Sequence, residues 1–318
     1  TEFITRFLWR LTVLFGIGFI HHLHYRGDIL TIFSVIGIFL LLFNQFSDRF
    51  LLIFALFFAF NIPSLIFNVG KEISEPPRTQ QREGRPPESD DYMKNELEYY
   101  EIAKNGTYTQ ILTANANSLF SKYEFQISSG RVFMTLGMFL LGLFVGRKKY
   151  FENLLENLPF FKKIFKYSGF SLLFLYVLAI ILLIIFHFSQ NLPPPALFPI
   201  FSFFFDVSCL ITAFTYVSGF VILFQKPKFE TFFMNFYWVG RMGLTTYVTQ
   251  SFVAFFIFFG VGLGLLDEIG AAFCALMGIL LFVLQIIFAK FWFKYFRYGL
   301  LEWLWRSLTY FSVQPLKK

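Results

Sequence analysis

SGFSLLFLYVLAIILLIIF, Ser168–Phe186, decides the fold class of this chain. The run carries no charge, and it has the length of about 20 mostly apolar residues that a helix needs to cross a bilayer. Lipid offers backbone N–H and C=O groups no partners, so such a run must satisfy them internally, as a helix. Seven further runs share its character: Leu11–Tyr25, Ile29–Phe46, Phe50–Phe67, Val132–Gly146, Ala196–Phe224, Met242–Leu266 and Gly270–Ala289. Ala196–Phe224 holds a single charge, Asp206, and Leu11–Tyr25 follows Arg6 and Arg10, which are placed to snorkel to a membrane surface. A soluble domain would instead show apolar residues at helical or strand spacing. The expected fold is all-α, a polytopic transmembrane helix bundle with about eight spanning helices and one extracytoplasmic loop region of short helices.

Composition points the same way. Only 15% of the residues are charged, against roughly 25% in soluble domains. The net charge of +7 does not indicate nucleic acid, because the basic residues sit where membrane topology places them. The bilayer is the expected partner. Cys209 and Cys274 both fall inside apolar runs, without metal-ligand spacing, so neither a disulfide framework nor a metal site is expected. The chain starts at Thr1, just before an apolar run, so upstream sequence is expected.

Lys and Arg orient the bundle. The segment RKKYFENLLENLPFFKKIFK, Arg147–Lys166, has six basic and two acidic residues, which places it on the cytoplasmic side. Alternation then puts Arg6, Arg10, Arg49, Lys226, Lys228 and Arg241 inside. The tail with Lys290, Lys294, Arg297, Arg306, Lys317 and Lys318 falls inside too, so the C-terminus is expected to be cytoplasmic. The poorly basic connections HHLHYRGD, SQNLPPPA and LLDEIG fall outside.

Four regions follow. Residues 1–68 hold three membrane helices. Residues 69–127 form an extracytoplasmic linker and amphipathic helices. Residues 128–293 hold five membrane helices with a basic cytoplasmic linker at 147–167, and residues 294–318 are a cytoplasmic interfacial tail. Between Lys71 and Lys104 there are nine acidic and six basic residues, with proline pairs at Pro76–Pro77 and Pro86–Pro87, the composition of an extended linker. The stretch after it reads as one or two amphipathic helices. The 69–127 loop is expected to be a lid, with a protein-binding role as the alternative.

Ionisable groups inside a membrane are costly and therefore candidate sites. His21, His24 and Asp28 stand at i, i+3 and i+7 in FIHHLHYRGDIL, which puts them on one face of a continuous helix. His22 then points elsewhere. A carboxylate beside a histidine fixes its tautomer and raises its basicity, which suits a general base. His-x-x-His also suits a metal, and interfacial histidines at a helix end are the plain alternative. Asp206, alone in its helix, needs a partner and is expected to meet the histidines. Arg241, Tyr247 and Gln250 lie on a polar stripe in GRMGLTTYVTQS. Arg241 suits a phosphate-bearing ligand or anchors topology, and Gln250 suits interhelical bonding. In the tail, Glu302 and Arg306 stand at i, i+4 and are expected to pair.

GDIL at Gly27–Leu30, MFLLGLFVGRKKYF at Met138–Phe151, GRMGLTTYVTQS at Gly240–Ser251 and YGLLEWLWRSLTY at Tyr298–Tyr310 resemble the YeiB-like family of bacterial integral inner-membrane proteins. Leu300 departs from the family pattern, which has proline after the glycine. The resemblance implies a location in the bacterial inner membrane and further helices before Thr1. It also implies a transporter-like character and a distant similarity to transmembrane acyltransferases, which carry an acyl group from cytoplasmic acyl-coenzyme A to an extracytoplasmic sugar using a membrane histidine. Acyl-CoA is then the donor substrate, held by Arg241. His21 or His24 is the base, oriented by Asp28 or Asp206, and Tyr247 or Gln250 is the oxyanion donor. No other cofactor is assigned. The alternative function is a transporter or a non-catalytic membrane partner, with the same residues lining a pathway or an interface.

Topology is directly testable. With Cys209 and Cys274 replaced by Ser, single cysteines at Asn157 and Asn191 should react with an impermeant thiol reagent from opposite sides, Asn191 from outside. Reaction of both from one side would overturn the whole assignment.

Overall fold

The structure, a computed structural model, describes residues 2–74, 87–189 and 197–318. Among them the secondary structure is helical: α1 (Glu2–His24), α2 (Leu30–Phe43), α3 (Asp48–Ala59), α4 (Ile62–Ser74), α5 (Pro87–Asn105), α6 (Tyr108–Ser128), α7 (Arg131–Arg147), α8 (Leu154–Ser189), α9 (Phe198–Phe224), α10 (Pro227–Phe233), α11 (Tyr237–Arg241), α12 (Gly243–Phe258), α13 (Ala271–Tyr295) and α14 (Leu300–Thr309). A lone antiparallel bridge joins Phe296 and Lys317. The chain is an all-α polytopic membrane protein. The proline-rich linker at 75–86 and most of the SQNLPPPA connection, 190–196, lie outside the described residues.

The eight apolar runs all fall on helices, but not all as single spans. Four helices are long and apolar enough to cross a membrane, or up to six if α3–α4 and α6–α7 each count as one broken span. The other two, α2 and α12, have 14 and 16 residues, or about 21 and 24 Å at 1.5 Å per residue, against a hydrocarbon core of about 30 Å. Phe50–Phe67 is not continuous. Asn61 takes a left-handed conformation, φ 54°, and α3 and α4 meet there at a 47° bend. Met242–Leu266 is not continuous either. α12 stops at Phe258, and the chain folds back through Gly260, Gly262 and Gly264, with Leu263 N bonded to the Phe256 carbonyl at 2.8 Å. A side chain at Gly260 would collide with the Lys104 carbonyl, and one at Gly262 with that of Phe256. The basic linker is also partly helical, since α8 begins at Leu154.

The chain divides into two compact units. The first holds α1, the start of α2, α5, α6 as far as Tyr123, and everything from Phe233 onward. Here α1 packs on α12 and α14, and α11 packs on α13, around Val239, Met242, Ala289 and Phe293. A Cβ on Gly18 would fall 2.8 Å from Leu30 Cβ and Thr31 N, so the bare glycine is what lets α1 lie against the start of α2. Trp9 and Trp305 donate their indole N–H groups to the Leu308 and Arg10 carbonyls, so the tail helix is stitched to α1.

The second unit holds the rest of α2, α3, α4, the end of α6 and the chain from α7 to Phe232. It is built on two helix pairs, α3 with α7 and α8 with α9. Thr215 donates to Ser168 at 2.8 Å between α8 and α9. Arg147, at the end of α7, donates to the Asn44 and Phe46 carbonyls and pairs with Asp48. Gly137 of α7 lies on the backbone of Ala59, closely enough that any Cβ would overlap it. Small residues at such crossings let membrane helices approach closely.

That crossing yields a stability prediction. Gly137→Ala overpacks a backbone-to-backbone contact and is expected to cost about 1–3 kcal/mol. Gly142→Ala, on the same helix with nothing within 4 Å of its Cβ position, should be neutral. Thermal unfolding of both variants in detergent micelles decides, and equal melting temperatures would refute the packing argument.

Candidate functional site: a buried carboxylate between two helices

The loop joining α1 to α2 places Asp28 in the interior of the first unit, 1% exposed. Its carboxylate faces the N-terminus of α2. Oδ1 accepts the Leu30 N–H at 3.1 Å, and Oδ2 accepts the Thr31 N–H at 3.0 Å and the Thr31 hydroxyl at 2.8 Å. This is the capping arrangement of an Asp before a helix, favoured further by the helix dipole. The local sequence GDILT is built for it.

Two histidines at the end of α1 meet this group. His21 is 1% and His22 0% exposed. His21 Nδ1 lies 2.7 Å from Asp28 Oδ1. An ionised carboxylate only accepts, so His21 Nδ1 carries the proton and donates. His21 Nε2 is left as a buried lone pair with no hydrogen-bond partner. The Tyr247 ring stands 5.0 Å from the imidazole, and the Tyr247 hydroxyl accepts the Ile29 N–H at 3.2 Å.

Lys122 of α6 completes the cluster. Its ammonium lies 3.6 Å from Asp28 Oδ2 and donates to the Asp28 carbonyl at 3.1 Å, Thr31 Oγ1 at 2.9 Å and His22 Nδ1 at 3.2 Å. Lys122 anchors one end of a polar stripe on α6. Asn115 donates to the Leu23 carbonyl at 2.8 Å, and the Tyr108 hydroxyl meets His24 Nε2 at 2.7 Å. Tyr108, Asn115 and Lys122 are seven residues apart, two helical turns, so they share a face.

Burial by itself pushes the Asp28 carboxyl up. The hydrogen bonds from His21 and Thr31 and the Lys122 charge outweigh it and hold the group below the ordinary carboxylate range. The pair can hold a proton on Nδ1 and accept one on Nε2, the chemistry of an oriented general base.

The other expected site residues are placed differently. His24 does not share the carboxylate. Its Nδ1 bonds the Ile20 carbonyl and its Nε2 bonds Tyr108. Asp206 belongs to the second unit, where its Oδ2 accepts the Asn61 amide at 2.8 Å. Gln250 donates to Gln285, which donates on to the Thr246 carbonyl, an interhelical bond rather than an oxyanion donor. Arg241 donates to the Arg297 carbonyl and stacks on Phe293, holding the tail. Glu302 does not pair with Arg306. It accepts the Leu244 and Thr245 N–H groups and the Thr245 hydroxyl at the start of α12, while Arg306 goes to Tyr298. Among the described residues no group of three or more His, Cys, Asp or Glu is placed to hold a metal ion.

Sequence reading missed Lys122, Thr31 and the inward turn of His22. The one signal for Lys122 was the seven-residue stripe on α6.

Comparisons with known proteins agree on kinship. The family model described as a protein of unknown function, DUF418, matches residues 145–312. The chain is 28% identical to the uncharacterized protein YxaH of Bacillus subtilis (strain 168) over 330 aligned positions, covering 100% of this chain and 75% of that protein. It is 27% identical over 196 positions to an uncharacterized 39.9 kDa protein in the amylase 3' region of Bacillus acidopullulyticus, covering 60% and 56%. It is 36% identical over 83 positions to the uncharacterized protein YeiB of Escherichia coli (strain K12), covering 24% and 20%. No solved structure matches.

A carboxylate with a depressed pKa contributes stability that is fully present above its unfolded value of about 3.9 and is lost as pH falls through the lower folded value. Wild-type protein is therefore expected to lose melting temperature as pH drops below about 4. Asp28→Asn should cost about 3–5 kcal/mol at neutral pH, because it leaves Lys122 buried without its counter-charge, and it should flatten the acid limb. The same acid dependence in both proteins would show that Asp28 does not carry it.

Proposed function

The chain belongs to the DUF418 family, and we propose that it is a membrane enzyme transferring an acyl group from an acyl thioester to a hydroxyl or amine acceptor, with His21 as general base. The observation that carries this reading is the buried His21–Asp28 pair with an unpartnered Nε2. A buried polar atom without a partner requires a reason, and a lone pair oriented by a carboxylate is what proton abstraction needs.

The step balances as follows. His21 Nε2 takes the acceptor's proton while the acceptor oxygen or nitrogen attacks the thioester carbonyl carbon. The carbonyl oxygen becomes an oxyanion, then re-forms the double bond as the C–S bond breaks. The thiolate takes the proton from the His21 imidazolium and leaves as a free thiol, and the acceptor leaves as ester or amide. Asp28 steadies the imidazolium. Tyr247, whose oxygen already accepts from Ile29, has its O–H available for the oxyanion. Arg241 is exposed with one N–H group engaged, and its remaining donors suit the phosphates of an acyl-CoA. The bacterial inner membrane and a cytoplasmic C-terminus belong to the same proposal.

A second reading, transport, is favoured by the second unit. Asp206, within an apolar helix, bonds Asn61 at the break between α3 and α4, and broken helices beside an intramembrane carboxylate are a transporter device.

One experiment separates the two. Acetyl-CoA is titrated calorimetrically into the full chain in nanodiscs, and thiol release is followed with methyl glucoside as acceptor. Acyl transfer predicts binding and acceptor-dependent release that falls about 10²–10⁴-fold in His21→Gln with binding retained. Release at equal rates in both proteins removes His21 as the base. Absence of binding removes the enzyme reading and leaves transport.

A further inference from the structure

The hydrogen bonds around Lys122 close in a way that fixes protons. Thr31 gives its hydroxyl hydrogen to Asp28 Oδ2, so toward Lys122 its oxygen can only accept. The Asp28 carbonyl likewise only accepts. An ammonium has three N–H groups and no acceptor site, and Lys122 has three acceptors in reach: Thr31 Oγ1, the Asp28 carbonyl and His22 Nδ1. The third bond therefore requires a bare His22 Nδ1, and a neutral His22 then carries its proton on Nε2. That Nε2 is buried and has no hydrogen-bond partner. On His21 the order is reversed, because Asp28 demands the proton on Nδ1.

We propose that Lys122 is a positioning residue of this site: by occupying His22 Nδ1 it holds His22 in the tautomer opposite to the one Asp28 imposes on His21, so that His21 presents a buried lone pair at Nε2 while His22 keeps its proton there. Its relevance to acyl transfer rests on the reading above. The tautomers themselves do not. Two adjacent buried imidazoles would otherwise be interchangeable bases, and the ammonium from α6 removes that ambiguity. It also makes the site depend on a helix outside the α1–α2 loop. α6 reaches the end of α1 through Asn115 and Tyr108 and the loop through Lys122, so the proton arrangement is set only when that face is seated.

Nitrogen NMR of imidazoles tests this on the full chain in nanodiscs, with histidine labelled in both ring nitrogens. His24→Gln and His187→Gln leave two signals, and carbonyl-13C isoleucine marks His21 through Ile20–His21, the only Ile–His step in the sequence. The expected spectrum at neutral pH has His21 protonated at Nδ1 and His22 protonated at Nε2. Lys122→Met should let His22 populate the Nδ1-protonated form and leave His21 unchanged, while Lys122→Arg, still an obligate donor, should keep the wild-type pattern. His22 protonated at Nδ1 in the wild type, or unmoved in a folded Lys122→Met, overturns the role of Lys122. If Lys122→Met does not fold, the wild-type spectrum alone decides. His21 protonated at Nε2 would instead overturn the general-base reading and leave the Lys122 assignment standing, so the two failures are distinguishable.

Discussion

A helix that stops inside a protein leaves its first N–H groups needing acceptors, and this constraint organises the polar chemistry of the first unit. Two of its apolar helices, α2 and α12, are too short to cross a bilayer. Each begins on a carboxylate. Asp28 accepts the Leu30 and Thr31 N–H groups of α2, and Glu302 accepts the Leu244 and Thr245 N–H groups of α12. A side-chain oxygen at a helix start satisfies donors that apolar surroundings would leave unpaired, and the positive end of the helix favours a negative group. The two carboxylates differ in reach. Asp28 comes from the residues just before its helix. Glu302 arrives from α14, so the same bond that caps α12 also fixes the tail.

Once a charge is buried at a helix start, further groups must gather around it. An ionised carboxylate taken out of water is costly unless it is paired and hydrogen-bonded. Asp28 answers that cost with two N–H groups, the Thr31 hydroxyl, His21 and the Lys122 ammonium. Each recruit then brings its own requirement. Lys122 must place three N–H groups, which draws in His22. His21 must place one, which leaves Nε2 over. The bare Nε2 of His21 is thus what remains once Asp28, Thr31 and Lys122 have their bonds, and His22 Nε2 is left over in the same way on the neighbouring ring. Gly18 is part of the same construction, because α1 lies against Leu30 and Thr31 only where no Cβ intervenes.

Helix class and membrane character were legible in the sequence, because the solvent imposes them on composition. The pairing of His21 with Asp28 was legible too, because seven residues on one helix face, or a tight loop after it, keep the two within reach. Helix breaks were harder to read. FFGVGLGLL looked like the end of a span, and its glycines instead allow backbone approaches to Lys104 and Phe256 that no side chain tolerates. Asn61 gave no warning, since a left-handed Asn differs from a helical one only in its surroundings. Lys122 showed only as one end of the seven-residue stripe on α6, because its partners lie 91 to 100 positions away. Glu302 was misread for a physical reason. An exposed i, i+4 ion pair contributes only about 0.3–0.5 kcal/mol, and two N–H groups with a hydroxyl outbid it.

The two units hold their carboxylates differently: Asp28 is buried and Asp206 half-buried. Asp28 is over-determined, with every oxygen engaged and a counter-charge beside it. Asp206 accepts one amide, from Asn61, and among the described residues no Lys or Arg lies within ion-pair distance of it. A fully engaged carboxylate cannot exchange protons or ligands without dismantling its network, and the imidazole it holds by that network is His21. A sparsely engaged one retains coordination capacity of its own. The difference lies in the bonding alone: both Asp28 oxygens are taken, and Asp206 keeps lone pairs to spare. Asp206 accepts its one amide from Asn61, the left-handed residue at which α3 and α4 break, so the same side chain serves the helix break and the carboxylate.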